Sequence, residues 1–418
     1  MKFIQIVSLV FLSMMFFSTI PTDSVSQTVS PIQAKITQNN SLTIYTYKDL
    51  MNKPFYDIAG KFSNYSGINK DQITITRFSD PYALMNQLIK EKDHPKADVV
   101  IGIDNALTNL FNASGIFAPY DNESVLANIN PTLLLDMGPN NNLIPYDYSI
   151  MSLYYNNTII NNSTYPFFND FTFDDLINSS LTSNIIIENP KTSTLGLGFL
   201  LWTIATYGDP NTGVFLKGFL AKDWHTFWEQ IGKKFTIVDN FDQGYQLFSD
   251  PTANKTMIVS LTTAQAYDYC VNNITTSSSL ITSFYNKTNL NATGWFQLEG
   301  LGMVRDSPNQ ELANKFMNWF LSTEVQNEIP TTQWKYPTNS KATIPACFTK
   351  SGIPNPNKLV ILNGYANPTT LNYFLSTWIG QWDKIVHSKG VPGFTIQELL
   401  FLVPFFVTIA IFRKKNNT

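Results

Sequence analysis

The chain reads as an α/β protein, with a mostly parallel sheet covered by helices on both faces. Short strand-like runs alternate with helical ones along most of its length, and capping residues stand where strand passes into helix. One strand candidate, Ala97 to Ile103, is apolar almost without interruption, as a strand buried on both faces must be. The 418 residues, 44% apolar and 14% aromatic, suffice for two ordinary domains with substantial cores.

Taken in order, Leu42-Thr43-Ile44-Tyr45-Thr46-Tyr47 alternates as a strand, and Ile58 to Phe62 falls in a helix. The strand Gln72 to Phe78 ends at Ser79-Asp80-Pro81, where an N-cap carboxylate and a first-turn proline open a helix from Tyr82 to Lys92. Leu143 to Tyr148 and Ile150 to Tyr155 are extended segments, and Asn184 to Glu188 is a buried strand. A Ser/Thr/Gly turn leads into a long apolar helix, Thr194 to Tyr207. Thr236 to Asp239, a helix over Phe241 to Ser249 and the strand Thr256 to Ser260 follow. Trp295 to Val304 and an amphipathic helix, Gln310 to Leu321, close the series.

Charged residues make up only 14% of the chain and the formal net charge is -3, so there is no basic footprint for nucleic acid. Cys270 and Cys347 are able to pair in an exported protein, but two cysteines define no framework and neither sits in a CxxC motif. His94, His225 and His387 are scattered, which gives no metal-ligand spacing.

The two ends carry targeting signals. Met1-Lys2 and the apolar stretch Phe3 to Phe17 have the layout of a secretion signal, assigned to residues 1–27, and a polar linker spans 28–41. Twelve Asn-x-Ser/Thr acceptors, at Asn39, Asn64, Asn112, Asn122, Asn156, Asn161, Asn162, Asn178, Asn254, Asn273, Asn286 and Asn291, agree with exposure outside the cytoplasm and with glycosylation there. Leu399 to Phe412 is a second apolar segment, spanning roughly 21 Å as a helix and adequate for a bilayer core when extended back to Phe394. Arg413-Lys414-Lys415 then lies on the cytoplasmic side. Pro392-Gly393-Phe394 resembles an archaeal sorting tail, so residues 391–418 are expected to be a membrane anchor or a processed tail.

Four stretches carry a family resemblance: Tyr45-Thr46-Tyr47; Lys96-Ala97-Asp98-Val99-Val100-Ile101-Gly102-Ile103-Asp104-Asn105; Lys191-Thr192-Ser193-Thr194-Leu195-Gly196-Leu197-Gly198; and Ile329-Pro330-Thr331-Thr332-Gln333-Trp334. In that order they resemble the thiamine-binding proteins that deliver vitamin B1 to ABC importers, from about Leu42 to about Phe348, with a fainter echo at Trp378 to His387. The resemblance implies the type II periplasmic-binding fold, two lobes of mixed or parallel sheet joined by two hinge crossings. Lobe 1 takes 42–147 and 262–345, lobe 2 takes 148–261, and 346–390 is an extension packing on both. A cleft at the carboxyl ends of the two sheets is the usual ligand position in such folds.

Thiamine joins a flat aminopyrimidine to a cationic thiazolium and a hydroxyl or phosphate tail, so a receptor needs aromatic faces, an acid and anion donors. By resemblance the pocket's rings fall on Tyr47, Phe241, Tyr267 and Trp334. Two positions depart from the family: its indole before the second-lobe helix is Phe241, and a tyrosine of its return strand is Leu261. Asp80 stands where the family has a pocket acid, and it equally suits an N-cap. Thr192, Ser193 and Thr194 offer hydroxyls and free amides to a phosphate tail, with Ser193 the matched position. Asp104 either touches ligand or caps the next helix.

The implied role is an anchored, monomeric extracytoplasmic receptor that takes thiamine or a phosphate ester as transported ligand, needs no cofactor or metal, and hands its ligand to a permease with a cytoplasmic ATPase. Its rivals are a receptor for ferric iron, a polyamine or an oxyanion, a surface adhesion protein on the same fold, and a thiaminase. The last requires a cleft thiolate, and Cys270, one helical turn beyond Tyr267, is the candidate.

Overall fold

The computed structural model describes residues 40–51, 56–166, 171–212, 223–286 and 289–388. The signal segment, nearly all of the linker, the sequon at Asn39 and the C-terminal anchor segment lie outside the described residues.

The strands are β1 (Leu42–Tyr47), β2 (Ile73–Phe78), β3 (Val99–Asp104), β4 (Ile144–Asn156), β5 (Ile185–Glu188), β6 (Thr236–Val238), β7 (Met257–Leu261), β8 (Ser277–Leu280), β9 (Ser283–Asn286), β10 (Asn289–Gly294), β11 (Phe296–Met303), β12 (Tyr336–Pro337) and β13 (Val360–Ile361). Among the described residues, ten of them form one sheet in the order β2-β1-β3-β11-β4-β7-β5-β6, with β8 and β12 also paired to β4. A three-stranded sheet, β13-β10-β9, stands apart. The β1–β2, β1–β3, β5–β6 and β5–β7 pairs are parallel, whereas β11 is antiparallel to β3 and β4, and β4 to β7. The sheet is therefore mixed.

The two extended segments read from the sequence are one thirteen-residue strand, β4. Ile144 to Ile150 pairs with β11, and Met151 to Tyr155 continues directly into the ladder with β7, so the two half-sheets share a single backbone. Ser149, at the change of partner, is buried and its hydroxyl is 3.1 Å from that of Thr263. An extended backbone keeps its ladder bonds through the changeover, leaving no exposed groups to break it.

Helices cover the sheet. Pro81–Glu91 starts at Asp80, whose carboxylate takes the Ala83 N–H at 2.8 Å. Thr194–Tyr207 is buried at every position but Thr206, so it is a core helix with no solvent stripe. Gln310–Phe320 buries Phe316, Trp319 and Phe320 against Phe62, with ring centroids 4.9 Å apart for Phe62 and Phe316. The twenty-residue helix Pro368–His387 is capped by Asn367 and buries Leu371, Leu375, Trp378, Trp382 and Ile385 at alternating spacings of four and three. The Trp378 indole donates to Asp209 at 2.6 Å, and the Trp382 ring meets Trp228 edge-on at 5.9 Å. Each fully buried aromatic side chain contributes about 2 to 3 kcal/mol.

Cys270 and Cys347 form a disulfide with Cα atoms 5.7 Å apart, across 77 residues of chain. It ties the segment after the short helix Thr263–Tyr267 to the helix Ala346–Lys350.

Candidate functional site

A cavity of about 710 Å³ opens where β1 and β7 end, between those strands and the helices that follow them. Tyr47 is the last residue of β1, Ser260 and Leu261 are the last of β7, Tyr154 comes from β4, and Gln297 and Glu299 come from β11. Phe241 and Tyr245 are one helical turn apart on Phe241–Ser249, Ala264, Tyr267 and Asp268 follow β7, and Gln333, Trp334 and Lys335 form the loop before β12.

Six rings border this space, those of Tyr47, Tyr154, Phe241, Tyr245, Tyr267 and Trp334. Phe241 and Tyr245 stack at 5.7 Å with planes 22° apart, and both are well exposed. Tyr267 meets Trp334 edge-on at 5.1 Å, and the far face of Trp334 lies parallel to Phe348 at 6.0 Å. Trp334 holds a left-handed backbone, φ 55°, a conformation costing a bulky residue roughly 1 to 3 kcal/mol. Tyr47 lies against Gly102, which has φ 98°; a Cβ there would come within 2.3 Å of the Tyr47 ring, so glycine is required.

Beneath the rings is a buried charge cluster. Glu299 accepts the Tyr47 hydroxyl at 2.8 Å and the Tyr146 hydroxyl at 2.6 Å, and the Lys335 ammonium is 2.5 Å from its other oxygen. Asp147 is fully buried 3.7 Å from the same ammonium. Burial works against the charge on Lys335, but Asp147 and Glu299 outweigh it and hold the pKa above the ordinary lysine range. Burial drives Asp147 the other way, well above the usual carboxylate range; Lys335 opposes this and Glu299 reinforces it. Glu299 is the principal partner of the Lys335 ammonium, with the closer contact and two hydroxyl donors besides, and Asp147 stands beside the pair. Burial also raises both tyrosine hydroxyls, which stay neutral.

Around the wall, Asp268 accepts the Tyr154 hydroxyl and, at 2.9 Å, the Asn272 amide. Asp49 is exposed at the rim. Beside it Lys48 bonds Asp242 at 2.7 Å, linking the end of β1 to the helix Phe241–Ser249. The lining thus carries three carboxylates, Asp49, Asp268 and Glu299, against one ammonium that is already paired.

Of the residues singled out from the sequence, Tyr47, Phe241, Leu261, Tyr267 and Trp334 share this cavity. The others lie behind or away from its lining. Asp80 accepts the Ser79 hydroxyl at 2.6 Å and caps Pro81–Glu91; the same helix sends the Tyr82 hydroxyl to the Pro190 carbonyl at 2.9 Å. Ser193 accepts the Leu195 and Gly196 N–H groups at 3.1 and 3.2 Å and donates to Glu188. Thr192 donates to the Asp239 carbonyl at 2.7 Å. Thr194 and Asp104 sit one hydrogen bond behind the wall, where the Gln297 amide reaches Thr194 at 3.4 Å and Asp104 at 2.6 Å. Burial pushes Asp104 up to about 6 despite its donors from Ala106 and Gln297.

Sequence reasoning missed Glu299, Lys335, Asp49, Gln297, Tyr154, Tyr245 and the wall role of Asp268. Glu299 had a signal: a lone carboxylate inside the apolar run Phe296 to Met303 must find partners if the strand is buried. Among the described residues no group of three or more His, Cys, Asp or Glu is arranged to hold a metal.

The family described as bacterial extracellular solute-binding protein matches residues 66–352, well over half of the chain. The chain belongs to that family. It is 27% identical over 317 residues to the thiamine-binding periplasmic protein of Escherichia coli (strain K12), covering 75% of this chain and 84% of that one. With the thiamine-binding periplasmic protein of Brucella melitensis biotype 1 it shares 24% over 344 residues, covering 81% and 91%. A solved periplasmic thiamin binding protein superposes with a TM-score of 0.64 at 26% identity, covering 83% of this chain and 96% of that chain. The ferric binding protein from Campylobacter jejuni, TM-score 0.62 at 16% identity over 82% and 99% of the two chains, shares the fold. This solute-binding protein has the mixed α/β type II architecture of those structures, and its relatives are extracytoplasmic binding proteins.

Proposed function

We propose that this protein is the thiamine receptor of an ABC importer: it closes on thiamine or a phosphate ester between its two half-sheets and hands it to a permease driven by a cytoplasmic ATPase. The observation that carries the reading is the joining of six rings, Tyr47, Tyr154, Phe241, Tyr245, Tyr267 and Trp334, with an excess of carboxylates in one cavity. Rings offer stacking to the pyrimidine, and ring faces and carboxylates together attract the thiazolium, each cation–π contact contributing about 0.5 to 2 kcal/mol. The similarity to thiamine-binding relatives over most of both chains points the same way.

The ligand is carried unchanged in this reading. Supporting it, the Cys270 sulfur is bonded to Cys347, so no thiolate is available there for a thiaminase-type attack. A polyamine would use the same rings and acids without the flat stacking partner, and it is the second reading the lining favours.

The receptor is proposed to be exported, monomeric and held at the cell surface by residues 391–418, with sugars on its sequons; Asn64, Asn162, Asn178, Asn254 and Asn273 are exposed. Among the described residues no helix is long and apolar enough to cross a membrane. Calorimetry of the full-length protein with thiamine and with spermidine tests the ligand: tight, saturable binding of thiamine alone supports the reading, and binding of spermidine alone replaces it.

A further inference from the structure

We propose that the protein carries a second small-molecule site, for a neutral sugar or polyol, on the face of β11 opposite the ring-lined cavity and independent of the thiamine reading. A cavity of about 630 Å³ lies there, and its lining shares no residue with that of the first. Its floor is formed by Phe296 and Tyr148. Phe296 and Gln297 are neighbours on β11, and successive side chains of a strand point to opposite faces, so Gln297 and Glu299 border the first cavity and Phe296 the second. Tyr148 pairs across the ladder with Leu298 and so shares the face of Phe296.

Three segments distant in sequence make the walls: residues 127–133, residues 337–344 and part of the C-terminal extension, 356–361. The first two are tied together by a bridge between Ile129 and Asn339 and by the Ser340 N–H, which donates to the Asn128 carbonyl at 2.8 Å. Asn339 is buried; its amide donates to the Leu321 carbonyl at 3.0 Å and accepts the Lys341 N–H at 3.0 Å. The Tyr148 ring is held as firmly, stacked on Tyr336 at 5.4 Å and tilted against Phe296 at 5.0 Å. The cavity therefore has a fixed shape, and its volume is that of an ordinary small-molecule site.

Among the described residues, no Asp, Glu, Lys, Arg or His lines this cavity. An ion entering it would give up hydration with no counter-charge to replace it. The lining offers neutral groups instead. The hydroxyls of Thr132, Tyr148 and Ser340 and the side-chain amide of Asn357 make no hydrogen bond among the described residues. Each of these groups both donates and accepts, which matches a ligand rich in hydroxyls and free of charge. A purely apolar ligand would cover them and leave them unpaired, at a cost in free energy. The two floor rings, with Pro131, Pro337 and Pro356 in the walls, give the C–H faces of a sugar ring an apolar surface to lie on.

The test is a saturation-transfer NMR titration of the full-length protein with glucose, mannose, galactose and trehalose, and with two charged analogues, glucuronate and glucosamine in its cationic form. The expected result is saturable binding of at least one neutral sugar, with both charged analogues weaker by about fivefold or more. Tyr148→Phe keeps the ring and its stack on Tyr336, and Asn357→Ala changes an exposed side chain on which folding does not depend. Each should weaken the bound sugar about two- to tenfold, the effect of one neutral hydrogen bond. Failure of all four neutral sugars to bind overturns the site, as does binding indifferent to both variants, which would put the sugar elsewhere. A charged analogue binding more tightly than the neutral sugars overturns the ligand class. None of these outcomes depends on whether thiamine binds.

Discussion

The ring of Tyr267 meets that of Trp334 edge-on, with centroids 5.1 Å apart and planes at 79°, although the two residues belong to separate segments of the chain. Tyr267 ends the helix that follows β7, and Trp334 precedes β12. Their junction makes an L-shaped corner: one face of Trp334 is backed by Phe348, and Tyr267 stands across its edge. A flat cation entering the cavity finds a rigid ring whose left-handed backbone leaves it few alternatives.

Trp334→Ala should therefore weaken thiamine binding by about 2 kcal/mol, roughly thirtyfold, with a smaller loss for Tyr267→Phe, which keeps the ring. Calorimetry on both variants checks this. Equal affinity in wild type and Trp334→Ala would move the ligand elsewhere.

The disulfide supports that corner. Cys270 and Cys347 sit in the small cluster of Ala266, Tyr336 and Phe348 that backs Trp334. Replacing both by alanine should lower unfolding stability by about 2 to 4 kcal/mol, since the bond closes a long loop in the unfolded chain. Thiamine affinity should fall with it. Denaturant unfolding with and without ligand measures both.

Lys335→Met leaves the Glu299 carboxylate buried without its cation, which should destabilise the fold by about 3 to 5 kcal/mol. The double variant Lys335→Met with Glu299→Gln should recover most of that loss, because it removes the stranded charge together with its partner. Thermal unfolding of the single and double variants forms the cycle.

Glu188 gives stability a pH dependence of definite sign. Burial pushes its pKa up to about 7 from 4.5, the Ser193 hydroxyl only partly opposing this. The folded state then binds a proton that the unfolded chain has released, so this contribution is complete below about pH 4.5 and is lost as pH rises through about 7, on the order of 3 kcal/mol in all. Glu188→Gln should flatten the stability profile between those limits, as read by denaturant midpoints across the pH series. An unchanged slope would show that Glu188 ionises normally.

Local signals were legible wherever a short stretch settles its own conformation. Thr194–Tyr207 follows from a Ser/Thr/Gly turn and an unbroken apolar run, and Asp80 with Pro81 marks a helix start whatever packs on it. The helix Pro368–His387 was also legible, from Asn367-Pro368 and the spacing of Leu371, Leu375, Trp378, Trp382 and Ile385, but sequence reading named only an extension there. β4 was split in two because nothing within a strand's own residues tells where its partner changes.

What the amino-acid order determined by itself was the alternation of strands and helices, their caps, and a set of rings in a family's order. Which carboxylate meets which cation was decided only by the folded chain. Tyr47 and Glu299 lie 252 residues apart, and their bond exists because β1, β3, β11 and β4 lie side by side. Propensity and capping act over a few residues, whereas the energy of a buried charge depends on every group within several ångströms, whatever its place along the chain.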